Sequence, residues 1–155
     1  RAAGVKYLPT MLSNYYYREI DSYFIAFSEC RKNKESDLTP FVRFVLRGAV
    51  ESLHEMNSRI TAHLRTSALN NYFQSLRAAG KINSRQFELL SLLLQAPEEQ
   101  CITVSSIRTE LPYRALYASV SDRTAKRDLT RLLELKLVTA VGAALQLDRK
   151  ILNAL

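Results

Sequence analysis

The chain has 155 residues, of which 47% are apolar and 24% charged, and its formal net charge is +7. This composition is ordinary for a globular protein with a core, and four Gly and four Pro leave room for long helices. No apolar run approaches the roughly 20 residues needed to cross a bilayer, so no membrane contact is predicted. The basic balance favours nucleic acid or another anionic surface as a partner, although a plain basic domain has the same charge.

The two cysteines, Cys30 and Cys101, are far apart and show neither metal nor redox spacing. Free thiols of this kind are typical of a reducing cytoplasm, which is the predicted location. The sequence begins with Arg1, without Met, and no signal peptide opens it, so it is expected to be part of a longer chain.

The first half of the sequence predicts helices. Ser13 can cap a helix that starts near residue 14, because its hydroxyl can accept from a free N–H of the first turn. A polar, charged loop is predicted over 31–37. The apolar residues of the first helix recur at spacings of three and four, namely Tyr16, Ile20, Tyr23, Phe24 and Phe27.

A second, longer helix is predicted after this loop. Thr39 suits its N-cap and Pro40 its first position, where a missing N–H costs nothing. The apolar stripe continues towards Gly80, with a weak break signal at 66–67. Gly80 suits a helix C-terminus, so two domains are predicted, over 1–79 and 84–155.

The second half predicts helices followed by a hairpin. We expect helices over 85–95, 104–111 and 122–136, with a connection over 112–120 that forms an extra helical turn, and strands over 137–141 and 144–147 about a turn at Gly142. This order is that of a winged helix-turn-helix joined to a helical bundle, so the predicted fold class is mainly α with a short β-hairpin.

The helix over 122–136 is the most informative segment. Its predicted inner face is apolar, made by Ala125, Leu129, Leu132 and Leu133, and Ser121 is a good N-cap. Its outer face is basic, which is how a recognition helix meets the major groove of duplex DNA. The predicted DNA-binding residues are Arg123, Thr124, Lys126, Arg127, Thr130 and Arg131, with Arg149 (and Lys150 beside it) after the hairpin.

Catalytic and metal chemistry find little support in this sequence. His54 and His63 are nine residues apart, on opposite faces of one helix, and have no metal-spaced partner. Four scattered glycines form no phosphate-binding loop, and no nucleophile motif is recognisable, so no enzyme, catalytic residue, metal or cofactor is predicted for this chain. The Tyr15-Tyr16-Tyr17 run could stack on bases, but a buried Tyr16 with its neighbours at the rim is favoured.

The first half also resembles the tail of Fic-family (Fic/Doc) proteins. Over about residues 5–60 the resemblance lies in Leu8-Pro9, Tyr15-Tyr16-Tyr17-Arg18, the charged loop ending at Asp37, and Thr39-Pro40-Phe41-Val42. The second half is similar to the winged helix at the C-terminus of many such proteins, through Thr-Ala-x-Arg-Asp-Leu at 124–129.

The resemblance implies a parent protein that transfers AMP from ATP, with Mg, to a protein hydroxyl. The family motif His-Pro-Phe, two residues, Gly-Asn-Gly-Arg is absent here, since the first histidine is His54 and Glu55-Met56 follow it. The chain would then be the regulatory, DNA-binding part of an adenylyltransferase, acting as a dimer. Two alternatives stay open: a winged helix that binds a protein partner, and a transcription regulator whose N-terminal helices only form a homodimer.

Overall fold

The computed structural model describes residues 8–32 and 37–151. The described residues form seven helices and one small antiparallel sheet, which confirms the mainly helical class. The chain divides into two compact units, 1–62 and 63–155. The division lies within a long helix and not at the predicted loop over 79–84, because the last turns of that helix supply core residues to the second unit.

The first unit contains α1 (Leu8–Arg18), α2 (Ile20–Lys32) and the first part of α3 (Thr39–Ala78). The prediction that Ser13 caps the first helix is wrong, because α1 begins at Leu8 and the Ser13 hydroxyl donates to the Pro9 carbonyl at 3.1 Å inside it. Residues 33–36 of the predicted charged loop lie outside the described residues.

An aromatic cluster holds the first unit together. Tyr15 is buried, Tyr16 half-buried and Tyr17 86% exposed, so Tyr15 and not Tyr16 is the buried member of the run. The Tyr15 ring lies 5.4 Å from the ring of Phe44. The predicted burial of the apolar stripe is wrong for three of its members, since Ile20 is 43% exposed, Phe24 59% and Phe27 46%.

Close approach of α3 to α1 depends on Gly48. A Cβ at this position would lie 2.6 Å from Cε1 of Tyr15 and would also overlap its Cδ1. The missing side chain therefore makes the space that the Tyr15 ring fills.

The helix α3 is continuous over 40 residues, without a break at 66–67. The N–H of Thr39 donates to the carboxylate of Asp37 at 2.8 Å, so Asp37 serves as the capping side chain that was predicted for Thr39. The Thr39 hydroxyl and N–H hold the pKa of Asp37 below its ordinary value. At the other end Gly80 has φ +68°, and its N–H donates to the Arg77 carbonyl at 3.0 Å, as predicted for a helix C-terminus.

The second unit takes the last part of α3 and the remaining elements, which are α4 (Ser84–Gln95), β1 (Cys101–Ile102), α5 (Ser106–Thr109), α6 (Tyr113–Tyr117), α7 (Asp122–Glu134), β2 (Val138–Val141) and β3 (Ala144–Leu147). The helix α6 is the predicted extra turn. The strand β1 was not predicted, and α5 is shorter than expected. Asn83, not Ser84, caps α4: its side chain accepts from the N–H of Gln86, whose side chain accepts from the Asn83 N–H.

The three strands form a sheet of order β1-β3-β2, antiparallel throughout. Cys101 pairs with Gln146 and Val138 with Leu147. The two-residue turn between β2 and β3 has Gly142 at φ +61° in its first position, the arrangement of a type II′ hairpin turn. The sheet lies on a core to which every element of the unit contributes, including Phe73, Leu89, Leu93, Ile102, Ile107, Tyr117, Leu132, Leu137 and Leu147.

Candidate nucleic-acid interface

The start of α7 is fixed by its own cap and by α5. The Ser121 hydroxyl accepts from the N–H of Thr124 at 3.3 Å, which confirms the predicted N-cap. The guanidinium of Arg108 on α5 donates to the Val120 carbonyl at 2.5 Å and lies 2.7 Å from the Asp122 carboxylate. The chain therefore enters α7 with its direction set and with the acidic charge of Asp122 compensated.

One face of α7 packs into the core of the second unit. Ala125, Leu129 and Leu132 are at most 4% exposed, as the sequence pattern predicts. Leu133 is 40% exposed, so its predicted burial is wrong. At 100° per residue, Leu133 lies 40° beyond Leu129 and only 20° from the exposed Lys126, so it falls at the edge of the buried face.

A buried carboxylate fixes the rotation of α7 about its axis. Asp128 is only 2% exposed. It accepts from Arg85 Nε at 2.7 Å, from Gln86 Nε2 at 3.2 Å and from the Tyr117 hydroxyl at 3.4 Å. These donors belong to α4 and α6, so a single side chain joins three helices and holds the opposite face of α7 outward.

This network also shifts the ionisation of its members. The hydrogen bond from Arg85 to Asp128 raises the pKa of the Arg85 guanidinium, which keeps it charged. Burial first, and then the neighbouring charge of Asp128, raises the pKa of Tyr117 well above its ordinary value. The carboxylate therefore meets one fixed cation and one neutral hydroxyl donor.

The outward face of α7 is basic, in agreement with the predicted set. Thr124 is half-buried, and its hydroxyl lies 3.1 Å from the Ser121 hydroxyl, so it belongs to the cap. Arg131 lies 3.3 Å from the Glu134 carboxylate. The exposed members of the set are Arg123, Lys126, Arg127, Thr130 and Arg131. Within residues 8–32 and 37–151, Arg123, Lys126 and Arg127 make no ion pair.

Arg149 lies apart from this face. Its Nη2 donates to the Ala96 carbonyl at 2.6 Å and to the Leu93 carbonyl at 3.3 Å, which satisfies the C-terminal end of α4. The guanidinium is thus used inside the protein, and we do not include Arg149 among the free cations. Lys150 is exposed beside it.

The four residues of this buried network were not anticipated from the sequence: Arg85, Gln86, Tyr117 and Asp128. A signal existed for Asp128, because at 100° per residue it lies 40° beyond Leu132, beside the apolar arc of α7. Its partners are 43, 42 and 11 residues away along the chain, and such long-range pairing has no local sequence signature.

Other candidate chemistry is sparse in the described residues. His54 and His63 are both exposed on α3. Residues 8–32 and 37–151 contain no cluster of three or more His, Cys, Asp or Glu side chains able to hold a metal ion. Within the same ranges no helix has the length and apolar character to span a membrane.

Comparison of the chain with family models, with curated proteins and with solved structures gives no match.

Proposed function

We propose that the second unit binds duplex DNA through the outward face of α7. The observation that supports this best is the pairing of three exposed, unpaired cations, Arg123, Lys126 and Arg127, with an opposite face that is fully buried. A helix held in this way presents its cations without the cost of ordering the helix on binding.

The order of elements supports the same proposal. The second unit has a helix, a short strand, two further helical segments, a longer helix and a hairpin, with sheet order β1-β3-β2, and this order is the one expected of a winged helix-turn-helix. In that motif the helix at the position of α7 enters the major groove. The hairpin over 138–147 has no charged residue, so the contact would centre on α7 and not on the wing.

The charge pattern of α7 also favours a polyanion. Arg123, Arg127 and Arg131 follow one another at intervals of four, an arrangement that is repulsive on an isolated helix. Arg131 has Glu134 as compensation, whereas Arg123 and Arg127 have none among the ion pairs of the described residues. Phosphates along a DNA strand would supply the missing counter-charge, with Thr130 positioned beside them.

The proposal is tested by titrating a labelled, random-sequence duplex with the whole chain at several salt concentrations, following fluorescence anisotropy. For wild type, log Kd should depend linearly on log salt. The variant Arg123→Ala/Arg127→Ala should bind more weakly, with the slope reduced by about one for each lost phosphate contact.

A matched control removes the same charge elsewhere in the second unit. The variant Arg65→Ala/Lys81→Ala takes away two exposed cations from α3 and from the turn after it, and should leave the slope close to that of wild type. Equal loss in both variants would mean that only net charge matters. If wild type fails to retain duplex at low salt, the proposal is rejected and the alternative of a module for a protein partner is favoured.

The resemblance of the first unit to a Fic-type tail remains a prediction. What supports it is the packing of the Tyr-rich helix α1 on the helix that opens with Thr39-Pro40, through Tyr15, Phe44 and Gly48. Under this proposal the DNA-binding unit would regulate or tether an AMP-transferring parent that uses ATP and Mg. Determining the residues encoded before Arg1, and finding no His-Pro-Phe motif with its glycine-rich continuation, would reject it.

A further inference from the structure

The helix α3 carries a second apolar face that the described residues of the first unit, 8–32 and 37–62, leave exposed. Here the apolar members are 38–60% exposed: Val42 at 49%, Leu46 at 60%, Val50 at 53%, Leu53 at 38% and Ile60 at 52%. Together with Asn57 these residues are called the α3 seam. At 100° per residue the seam occupies an arc of about 80°.

The seam is distinct from the face that packs on α1 and α2. Phe44, Gly48 and Ser52 form the buried face, and Phe44 and Ser52 are 7% and 3% exposed. The centres of the two faces are about 160° apart around the helix. From Val42 to Leu53 the apolar residues of the seam therefore lie away from the internal core, whereas Ile60 borders a cavity that Tyr15 and Ser52 also line.

From Leu46 to Ile60 the seam follows the spacing of a coiled coil. Its members lie at intervals of four, three, four and three, which is the a/d pattern of the heptad. Val50 and Asn57 occupy a positions, and Leu46, Leu53 and Ile60 occupy d positions. A β-branched residue at a with Leu at d favours a two-stranded, parallel coiled coil.

Asn57 specifies how two such helices would align. A single Asn at an a position is polar and would be left unsatisfied against an apolar partner, but in a parallel, in-register pair it faces its own copy. Antiparallel packing sets a positions against d positions, and the d positions of this seam are all apolar. The seam thus prefers an identical helix in the parallel sense.

The flanking positions are compatible with this pairing. On one side of the seam lie Arg47 and His54, and on the other Ala49 and Met56. In a parallel pair the first group faces the second group of the other copy, so Arg47 of one copy does not face Arg47 of the other. The same basic residues would face each other in an antiparallel pair.

The area is sufficient for a specific interface. The exposed parts of the five apolar side chains amount to roughly 500 Å² on each chain, and an interface of two copies buries about 1,000 Å² before its flanks are counted. That total lies at the lower end of the range for specific protein–protein interfaces, and the flanking residues add to it.

We infer that the α3 seam is the dimerisation surface of this protein, and that its occupant is the same seam of a second copy in a parallel, two-stranded coiled coil. This inference does not depend on DNA binding by α7. It assigns a defined surface and register to the association of two chains.

The test is sedimentation equilibrium of the whole chain over a range of concentrations. Wild type should be a dimer, and Val50→Lys/Leu53→Lys should be a monomer with an unchanged helix content by circular dichroism, since both residues are exposed in the single chain. Ser58→Lys, an exposed position of α3 outside the seam, should leave the dimer intact.

Two further variants test the register. Asn57→Cys should form an intermolecular disulfide under mild oxidation, because the two copies of position 57 face each other in the parallel pair. Asn57→Val should tighten association and admit larger oligomers, since the polar residue that restricts the assembly is gone. A monomeric wild type, a dimer that persists in Val50→Lys/Leu53→Lys, or a dimer that Asn57→Cys fails to link would each overturn the inference.

Discussion

The buried carboxylate of Asp128 gives the sharpest test of how the second unit is held together. We predict that Asp128→Asn lowers the free energy of unfolding of this unit by about 3 kcal/mol, because removing one partner of a buried ion pair typically costs 3–5 kcal/mol. The lower end applies since the Arg85 side chain is 26% exposed and water can reach it in part.

The loss of the other two hydrogen bonds to Asp128 should also lower the free energy of unfolding. Gln86 and Tyr117 donate to Asp128 at 3.2 and 3.4 Å, so each contributes no more than about 1 kcal/mol. An asparagine keeps one acceptor oxygen but turns an amide NH₂ towards donors. The expected loss of about 3 kcal/mol thus includes the ion pair with Arg85 and one contact in which the new amide NH₂ faces another donor.

Differential scanning calorimetry measures this change. In a unit of this size 1 kcal/mol shifts the Tm by about 4–8 °C, so the transition of the second unit should fall by more than about 10 °C. Asp122→Asn is the matched control, because Asp122 lies on the same helix and pairs with Arg108 at 2.7 Å, but its side chain is 79% exposed. It should cost at most about 1 kcal/mol. Equal effects of the two substitutions would refute the reasoning that burial makes the Asp128 pair important.

Two further predictions concern Tyr117 and Gly48. Because the pKa of Tyr117 is raised in the folded state, the unfolded chain loses the hydroxyl proton first, and the free energy of unfolding should fall as pH rises above about 10. Urea unfolding of Tyr117→Phe over the same pH range should show a smaller fall. A pH dependence equal to that of wild type would contradict the role given to Tyr117. Gly48→Ala should destabilise the first unit by about 1–2 kcal/mol, because overlap with the Tyr15 ring outweighs the gain in helix propensity. Near-ultraviolet circular dichroism of the aromatic cluster during denaturation measures this loss of stability. In a chain that also carries Tyr15→Leu, Gly48→Ala should cost less, because the overlapping ring is gone.

Local sequence signals predicted much of the second unit. Ser121 as the cap of α7, Gly80 at the end of α3 and Gly142 in the hairpin turn all lie where the pattern placed them, because each depends on the backbone within a few residues. The extra turn at α6 was also foreseen from the apolar residues of the connection.

Features that depend on distant residues were not predicted. The strand β1 has only two residues and exists through pairing with β3, which follows it by more than 40 residues. The Arg85–Asp128 ion pair and the hydrogen bond from Arg149 to the Ala96 carbonyl also join residues that are far apart in the sequence. In the first unit the periodicity favoured Tyr16, whereas the gap that Gly48 leaves in the facing helix selects Tyr15 for burial.

The sheet order β1-β3-β2 has a consequence for the newly made chain. The central strand is the last to be synthesised, and Leu147 at its end completes the core. During translation, therefore, both outer strands emerge from the ribosome before the strand that joins them. The sheet closes only when β3 is free of the exit tunnel, and until then both outer strands have unpaired edges exposed to aggregation.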